Sequence, residues 1–327
     1  MGKANFPMGG IAVTDSALSL VWDSTRLRLL VEIGHRGSVS AAARAIGIGQ
    51  PTASEHLRTL EGAAGQRLVE RNGRGSTLTE AGKLLAQHAG QALQTLHAGE
   101  DELRRLSGLE SGTIHIGAST TPGVYLLPDT LGCFRRDHPN VTVEVEIAST
   151  GEILDRLLAG RLQLALVGEA DVDTRIQLQP FIGDEIVGVA RPGLLELRGG
   201  RATPRALSGQ TLLVREARSS TRRVSERALA AARIWPERTW ELDSSEAIKR
   251  AAREGLGVAF LSRYAVAEEI DRGELEAFRI GKPLERNLHL ARLARRPLSP
   301  SERGFVETLT RCCAKSEAYA TGCVAQR

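Results

Sequence analysis

Residues 38–61, SVSAAARAIGIGQPTASEHLRTLE, constrain the fold more than any other part of the chain. They contain two short helical patterns with Gly47 between them. Glycine ends the first helix because it tolerates the left-handed conformation of a tight helix exit. Pro51 suits the first turn of the second helix, where an N–H is unpaired in any case. Alanines at the contact allow close packing at a steep angle, so the stretch predicts a helix-turn-helix. We expect the two helices to meet through Ala42, Ala43, Ile46, Ala53, Leu57 and Leu60.

The second helix of this pair carries a row of polar side chains on the side away from the alanines. Glutamine can read the edge of adenine, and arginine can read guanine or hold a phosphate, when such a helix lies in the major groove of DNA. Ser38 or Ser40 begins the first helix as its N-terminal cap. The alternative is the solvated surface of an ordinary helical hairpin. The candidate DNA-binding residues in this stretch are Ser38, Ser40, Gln50, Pro51, Thr52, Ser54 and Arg58.

The next segment predicts a β-hairpin. Residues 68–71 and 76–78 alternate apolar and polar side chains around the turn sequence Asn-Gly-Arg-Gly. A hairpin after a helix-turn-helix is a wing, and Arg71 and Arg74 on it would lie over backbone phosphates, unless each is an ordinary solvated charge. Residues 26–78 carry eight arginines against four acidic residues, whereas the whole chain has a net charge of only +4. Positive charge is therefore concentrated in this unit, as nucleic-acid binding requires.

One uninterrupted helical pattern runs from Thr79 to Leu106. A stripe of apolar and small residues recurs along it at alternating spacings of four and three, as a two-stranded coiled coil requires. The stripe predicts that two copies of the chain pair through this helix. The alternative is a stripe buried against the chain's own second domain. The stripe consists of Leu85, Ala89, Ala92, Leu96, Gly99, Leu103 and Leu106.

From Gly112 to Arg311, β-branched apolar runs alternate with helical patterns, which predicts a mostly parallel sheet covered by helices on both faces. Serines and threonines cluster at three strand-to-helix turns, where hydroxyls and a helix N-terminus can hold an anion. Each cluster alone is an ordinary helix cap. Because open sheets bind ligands at the carboxyl ends of their strands, the three together favour one shared site. The candidate residues are Ser119, Thr120, Thr121, Ser149, Thr150, Gly168, Arg215, Ser219, Ser220 and Thr221.

Other features of the sequence argue against several classes of function. There is no Gly-x-Ser-x-Gly elbow, P-loop or His-Glu-x-x-His motif, so we expect no enzyme and no catalytic residue. The four cysteines, at 133, 312, 313 and 323, lack the spacing of a zinc site, and we expect reduced thiols, no metal and no cofactor. No apolar run reaches the length of a membrane span. We expect a cytoplasmic protein.

The N-terminal motifs resemble a known family. AAARAIGIGQPTASEHLRTLE, followed by AGQRLVER and LTEAG, is similar to the DNA-binding domain of LysR-type transcriptional regulators over about Leu27 to Gly82. Val69 stands where the family usually has phenylalanine, and Ala64 where a larger apolar residue is usual. Neither departure affects the DNA-facing side. The rest of the chain follows the family's plan to about residue 311.

The resemblance implies an α plus α/β fold: a winged helix-turn-helix, a long linker helix and an effector domain of the periplasmic-binding-protein type with two subdomains. It implies a homodimer or homotetramer on double-stranded DNA at a two-fold-related promoter site, with a small-molecule effector between the subdomains. GASTTPGVYLLP is most similar to regulators of sulfur assimilation and carbon fixation, which favours a small anionic metabolite. The alternatives are a solute-binding protein or enzyme on the same scaffold, and a regulator that needs no ligand.

The same plan gives the expected domain boundaries. They are a flexible extension at 1–25, the winged helix-turn-helix at 26–82, the linker and dimerisation helix at 83–108, the effector domain at 112–311 and a tail at 314–327. Within the effector domain, subdomain I is expected at about 112–170 and 280–311, and subdomain II at about 171–279, with crossovers near 168–175 and 279–285.

Overall fold

The structure is a computed structural model that describes residues 22–73, 75–106 and 112–322. Two compact units divide the chain, Met1–Leu96 and His97–Arg327. The predicted extension at 1–25 lies mostly outside the described residues. Its last residues belong to the first unit, because Asp23 caps the first helix through a hydrogen bond from the Arg26 N–H and Trp22 packs against the core. The DNA-binding unit therefore begins before residue 26.

Four helices and a two-stranded hairpin account for residues 24–106. They are α1 (Ser24–Arg36), α2 (Val39–Ala45), α3 (Gln50–Ala64), β1 (Val69–Asn72), β2 (Gly75–Leu78) and α4 (Glu80–Leu106).

Helices α2 and α3 form the predicted helix-turn-helix. Ser38 is the N-cap of α2 and accepts a hydrogen bond from the Ala41 N–H, and Gly47 after the helix has a φ of +75°. Ala42, Ala43 and Ala53 are buried in one cluster with Leu29 and Ile33 of α1, and Ile46 and Leu57 pack against it. Leu60 corrects the expectation, because it is buried in a different cluster with Leu30 and Leu68. It lies a turn beyond the helix crossing.

Strands β1 and β2 form the predicted wing. They pair antiparallel from Val69↔Leu78 to Asn72↔Gly75, and Gly73 in the turn has a φ of +56°, which glycine adopts without strain. Arg74 lies outside the described residues. The wing is fixed to α1 by a hydrogen bond from the Ser76 N–H to the Gly37 carbonyl.

The long helix α4 has the predicted bounds, but its stripe divides into two parts. Ala89 is buried and Leu85 half-buried in the core of the first unit, in the cluster that contains Ala86 and Leu93. The remaining stripe residues with described side chains are exposed; Leu96 is 60% and Leu103 66% exposed. The first part of the stripe therefore packs within its own chain, and the exposed part comprises Ala92, Leu96, Gly99 and Leu103.

The second unit alternates strands and helices as expected. Its strands are β3 (Gly112–Ser119), β4 (Val141–Ala148), β5 (Leu164–Val167), β6 (Ile176–Ala190), β7 (Leu197–Arg198), β8 (Arg201–Ala202), β9 (Thr211–Val214), β10 (Arg238–Glu241), β11 (Val258–Ser262), β12 (Glu276–Phe278) and β13 (Leu284–Leu293). Its helices are α5 (Thr120–Tyr125), α6 (Leu127–Asp137), α7 (Thr150–Leu158), α8 (Pro204–Ser208), α9 (Ser220–Ala231), α10 (Ser245–Arg253), α11 (Arg263–Asp271) and α12 (Pro300–Gly322).

The main sheet of this unit is mixed, whereas the sequence predicted a mostly parallel one. Its strands lie in the order β10-β9-β11-β6-β13-β5-β3-β4, and β12 also pairs with β6. Parallel pairing holds at each end, for β9 with β10 and for β3 with β4. In the middle, β6 and β13 pair antiparallel from Leu284↔Ile186 to Leu293↔Ile176. The reason is that both crossovers between the subdomains continue directly into long strands of the sheet.

Hydrophobic clusters place the change of subdomain in the middle of these two strands. Ile182 of β6 and Leu288 of β13 are buried with Ile116 and Phe305 of subdomain I. Ile186, a few residues further along β6, is buried with residues of subdomain II. Strand β6 up to Ile182 therefore lies in the core of subdomain I, which corrects the expected assignment of residues 171–279 to subdomain II. At the C-terminus, α12 continues to Gly322, beyond the expected start of a tail at residue 314.

Candidate functional sites

Helix α3 presents the predicted polar face to solvent. Gln50, Pro51, Thr52, Ser54 and Arg58 are all exposed, whereas Ala53 and Leu60 of the same helix are buried. Its N-terminus has no side-chain cap. The first-turn N–H groups of α3 are therefore open to an acceptor such as a phosphate.

The other predicted DNA-binding residues differ in their surroundings. Ser38 uses its hydroxyl oxygen as a cap for α2, and Ser40 in the first turn of that helix is half-exposed. On the wing, Arg71 is exposed. The Arg58 guanidinium makes no ion pair within the described part of the chain. These assignments to DNA contact stay predictions.

Two polar residues that sequence reasoning missed, Glu61 and Thr79, tie the wing to helices α3 and α4. The Glu61 carboxylate at the end of α3 accepts hydrogen bonds from the Leu68 and Val69 N–H groups at 2.9 and 3.3 Å. The Thr79 hydroxyl donates to the Arg67 carbonyl at 2.7 Å and accepts from the Gly82 N–H at 3.0 Å. These bonds orient the hairpin relative to α3 and α4. A glutamate followed seven residues later by a strand is no motif, so the sequence carried no signal for the first of them.

The three predicted Ser/Thr clusters converge in the second unit. They line one pocket, which we call the hydroxyl pocket, at the starts of α5, α7 and α9. Nine of the ten predicted effector-binding residues line it, together with Glu216 and Arg286. The full lining is Ser119, Thr120, Thr121, Ser149, Thr150, Arg215, Glu216, Ser219, Ser220, Thr221 and Arg286.

Arg286, in the crossover strand β13, is the centre of the pocket. Its guanidinium donates to the Ser220 hydroxyl at 2.8 Å, to Thr221 at 3.2 Å and to Thr121 at 3.4 Å. It therefore joins α9 of subdomain II to α5 of subdomain I. Sequence reasoning missed this arginine, because a charged residue inside an apparently solvated run such as LERNLHL carries no sign of burial.

Asp184 in β6 balances the charge of Arg286. The two side chains are 0% and 1% exposed and form an ion pair at 2.7 Å, and the Ser262 hydroxyl donates to the same carboxylate at 2.7 Å. Burial raises the pKa of Asp184, while Arg286 and the Ser262 hydrogen bond work in the opposite direction. The pair lies on the two crossover strands, at the boundary between the subdomains.

Arg215, at the end of β9, is the second cation of the pocket. Its guanidinium donates to the Ser245 hydroxyl at 2.8 Å and to the Thr120 hydroxyl at 3.0 Å. It also donates to both oxygens of the Glu216 carboxylate, at 2.8 and 3.1 Å. Because Thr120 belongs to subdomain I, this arginine also bridges the two halves of the domain.

Ser149 and Ser219 each cap a helix and also line the pocket. The Ser149 hydroxyl accepts from the Glu152 N–H and donates to the Glu152 carboxylate, which lowers the pKa of Glu152. The Ser219 hydroxyl accepts from the Arg222 N–H at 3.5 Å. Gly168 does not line the pocket. A Cβ at that position would lie 1.9 Å from the Ser220 hydroxyl oxygen, so the glycine makes room for Ser220.

Tyr125 makes a further contact between the subdomains, outside the pocket. Its hydroxyl donates to the Glu246 carboxylate at 2.8 Å, and the Lys249 ammonium lies 5.6 Å from its ring. Lys249 also pairs with Glu246 and Glu269 at 2.7 and 2.8 Å. Burial works to lower the pKa of Lys249, but these two partners raise it to about 12. The contact adds to the bonds that hold the subdomains together in this conformation.

A larger cavity, of about 390 Å³, lies between α6 and α12, away from the hydroxyl pocket. Cys133, Cys312 and an Arg311–Asp137 ion pair line it. Among the described residues that line it, only Thr130 carries a hydroxyl, and only one helix N-terminus, that of α6 at Leu126, borders it, so the smaller hydroxyl pocket is the better candidate site. In the parts of the chain that the structure describes, no cluster of three or more His, Cys, Asp or Glu side chains is placed to hold a metal ion. In those same parts, no helix has both the length and the apolar character needed to cross a bilayer.

A winged helix-turn-helix, a long helix with an exposed apolar stripe and an α/β domain with a polar pocket define the class of ligand-responsive DNA-binding regulators. Comparison with known families agrees. Residues 24–83 match the bacterial regulatory helix-turn-helix proteins of the lysR family, and residues 107–314 match the LysR substrate binding domain. The chain belongs to the LysR family of transcriptional regulators, whose members are regulators and not enzymes.

Individual relatives support this placement. A probable RuBisCO transcriptional regulator from Cyanophora paradoxa is 34% identical over 265 residues, which are 78% of this chain and 81% of that protein. A full-length OxyR variant from Pseudomonas aeruginosa shares the fold, with a TM-score of 0.69 and 22% identity over 89% of this chain and 94% of that one. The CcmR regulatory domain from Synechocystis PCC6803, in complex with 2-PG, has a TM-score of 0.57 and 28% identity over 62% of this chain and 97% of that one.

Proposed function

We propose that this regulator responds to a small anion bound in the hydroxyl pocket. It acts in the cytoplasm and uses no cofactor besides this effector. The anion contacts groups from both subdomains, and its occupancy changes how the subdomains close. In an assembled dimer or tetramer that change alters how the DNA-binding units are presented to the promoter.

Unpaired polar groups in the pocket carry this proposal. Within the described residues, the Ser119 and Thr150 hydroxyls make no hydrogen bond to the protein, and both line the pocket with their oxygens open to it. Each hydroxyl can donate a hydrogen bond to a ligand that carries acceptor oxygens. The N-termini of α7 and α9 give the same place a positive potential, and the two arginines, although paired with Asp184 and Glu216, add N–H donors. The lining therefore suits an anion with several acceptor oxygens; the pocket has a volume of only about 10 Å³ in this conformation, so the subdomains open to admit it.

The chemistry of one similar protein narrows the class of anion. The Synechocystis CcmR domain was solved with 2-PG, 2-phosphoglycolate, which carries a phosphate and a carboxylate. Two such groups match two arginines and several hydroxyls, since arginine binds both phosphate and carboxylate through paired N–H donors. We therefore propose a small phosphorylated acid, with 2-phosphoglycolate as the first compound to test.

Helix α3 reads the DNA in this proposal. Gln50, Thr52 and Arg58 reach base edges in the major groove, and Arg71 of the wing contacts a phosphate. Ala92, Leu96, Gly99 and Leu103 on α4 form the seam with a second copy of the chain. The support is that all these residues are exposed, and that those on α3 and α4 have the spacing that each role requires.

Calorimetric titration of 2-phosphoglycolate into the full-length protein tests the proposal. We expect saturable binding to the wild type and no measurable binding of glycolate. Thr150→Val removes one unpaired hydroxyl and keeps the side-chain shape. It is expected to weaken binding by roughly 1.5–3 kcal/mol, the value of a hydrogen bond to a charged group. The matched control is Thr142→Val on the exposed strand β4.

Two outcomes would contradict the proposal. One is the absence of binding by any small phosphate or carboxylate, which would favour a regulator that needs no ligand. The other is equal affinity in the Thr150 and Thr142 variants, which would place the ligand elsewhere.

A further inference from the structure

Glu216 is the one acidic side chain among the described residues that line the hydroxyl pocket. Its two carboxylate oxygens accept hydrogen bonds from two nitrogens of Arg215, Nε at 2.8 Å and Nη2 at 3.1 Å. This fork is the geometry in which arginine binds a free carboxylate or phosphate. Glu216 therefore occupies the place on Arg215 that an anionic ligand would take.

Arg215 does not depend on Glu216 for its position. Ser245 holds one end of the guanidinium at 2.8 Å, and Thr120 holds the other at 3.0 Å. The side chain of Arg215 is also only 8% exposed, so packing restricts its rotamers. Without the carboxylate, the guanidinium would keep two fixed hydroxyl contacts and would still face the pocket.

The second ion pair of the pocket is built differently. Asp184 is 0% exposed, lies in a central strand and also accepts from the Ser262 hydroxyl. Glu216 lies between β9 and α9, its side chain is 22% exposed, and within the described chain its carboxylate has no partner besides Arg215. Asp184 is thus a fixed counter-ion, whereas Glu216 can turn away into solvent.

We propose that Glu216 is a specificity-determining residue that competes with the effector for Arg215. This inference rests on the proposed anion site. A ligand carboxylate that displaces Glu216 exchanges one carboxylate–arginine pair for another and gains little. A phosphate dianion interacts more strongly with the same arginine and gains more. The competition therefore sets an affinity threshold that a phosphorylated acid passes and a simple carboxylate does not.

Calorimetric titration of the full-length Glu216→Gln variant tests the inference. Glutamine keeps the size of the side chain but competes weakly, because it carries no charge. We expect the dissociation constant of 2-phosphoglycolate to fall about tenfold, which corresponds to about 1.4 kcal/mol. We also expect binding of glycolate to become measurable. Glu216→Asp, which keeps a carboxylate, is expected to stay closer to the wild type.

The control is Glu268→Gln, which removes the same charge from an exposed ion pair with Arg272 outside the pocket. Its affinity for 2-phosphoglycolate should equal that of the wild type. If both glutamine variants bind more tightly, the effect is one of overall charge and the inference is wrong. If Glu216→Gln binds more weakly, Glu216 serves to position Arg215 and the inference is also wrong.

The anion site itself can fail separately. If neither the wild type nor Glu216→Gln binds 2-phosphoglycolate, inorganic phosphate or glycolate at millimolar concentration, the proposed function is wrong, and the role of Glu216 is wrong with it. If the wild type binds 2-phosphoglycolate and Glu216→Gln binds it equally well, only the role of Glu216 is rejected.

Discussion

Helix α3 and the hydroxyl pocket satisfy the hydrogen-bonding groups of their polar side chains in opposite ways. On α3, Gln50, Thr52 and Arg58 project from one continuous segment into solvent. In the pocket, Arg215 and Arg286 are buried, and each is bonded to residues from distant parts of the chain. A surface that binds a large partner can leave its donors to water until the partner arrives. A buried site for a small anion must satisfy its charges while it is empty, because an unpaired buried charge is costly.

The largest expected effect comes from the pocket. Arg286→Ala leaves the Asp184 carboxylate buried without its counter-ion, and breaking a buried pair in this way costs roughly 3–5 kcal/mol. The control Arg279→Ala breaks an exposed ion pair with Glu185 and should cost no more than about 1 kcal/mol. Urea unfolding of both full-length variants by circular dichroism measures the difference. Equal losses would mean that burial does not distinguish the two pairs.

The exposed stripe on α4 gives the second effect. Leu96→Glu places a charge in the proposed seam between two copies of the chain, and we expect it to weaken the dimer by roughly 2 kcal/mol or more. His97→Glu puts the same charge on the adjacent exposed position and should leave the dimer unchanged. Analytical ultracentrifugation over a concentration series reports both. Similar dissociation in the two variants would argue against this seam.

The polar face of α3, which we propose reads DNA, gives the third-largest expected effect. Arg58→Ala and Gln50→Ala are each expected to weaken binding at a specific DNA site by roughly 1–3 kcal/mol, with folding unchanged because both side chains are exposed. Arg205→Ala removes an exposed charge from α8 in the other unit and serves as control. Fluorescence anisotropy at fixed salt measures all three affinities. If Arg205→Ala loses as much DNA affinity as Arg58→Ala, the loss is due to overall charge and not to a contact made by Arg58.

The smallest effect concerns the stability of the DNA-binding unit. Hydrogen bonds from His35 and Arg36 outweigh burial and lower the pKa of Glu32 to about 2. Because the folded pKa lies below the ordinary value of 4.5, the stabilisation is present above about pH 4.5 and is lost as the pH falls toward 2. Glu32→Gln should therefore cost less than about 1 kcal/mol at pH 7, and nothing near pH 2. Unfolding curves of the wild type and Glu32→Gln across this pH range measure the difference in free energy of unfolding, with Glu55→Gln as control. A difference that does not change with pH would contradict this account.

The same contrast explains which features the sequence revealed. The turn at Gly47, the wing around Gly73 and the span of α4 follow from neighbouring residues, and the structure confirms them. The Ser/Thr clusters could be predicted from the sequence because a helix cap depends only on residues that are close together in the chain. Arg286 and Asp184 are 102 residues apart, so their pairing depends on the antiparallel register of β6 and β13. That register comes from tertiary packing, which no short pattern encodes.

The positions of the subdomain cores follow the same rule. Ile176 and Ile182 look like any strand residues, and only the pairing of β6 with β13 places them in subdomain I. Leu60 and Ala89 fit the predicted helix contacts by spacing, yet both are buried in the cluster between α1, the wing and α4. Spacing identifies the face of a helix, but the neighbours in the fold decide what that face contacts.

Capture of sheared genomic DNA by the purified full-length protein, followed by sequencing, tests the central claim most directly. The capture is run at physiological salt with and without 2-phosphoglycolate, and in parallel with Arg58→Ala. The account predicts sharp enrichment at a few two-fold-symmetric promoter sites, a change in that enrichment with the ligand, and its loss in the variant. Diffuse enrichment that neither the ligand nor the Arg58 substitution alters would contradict it.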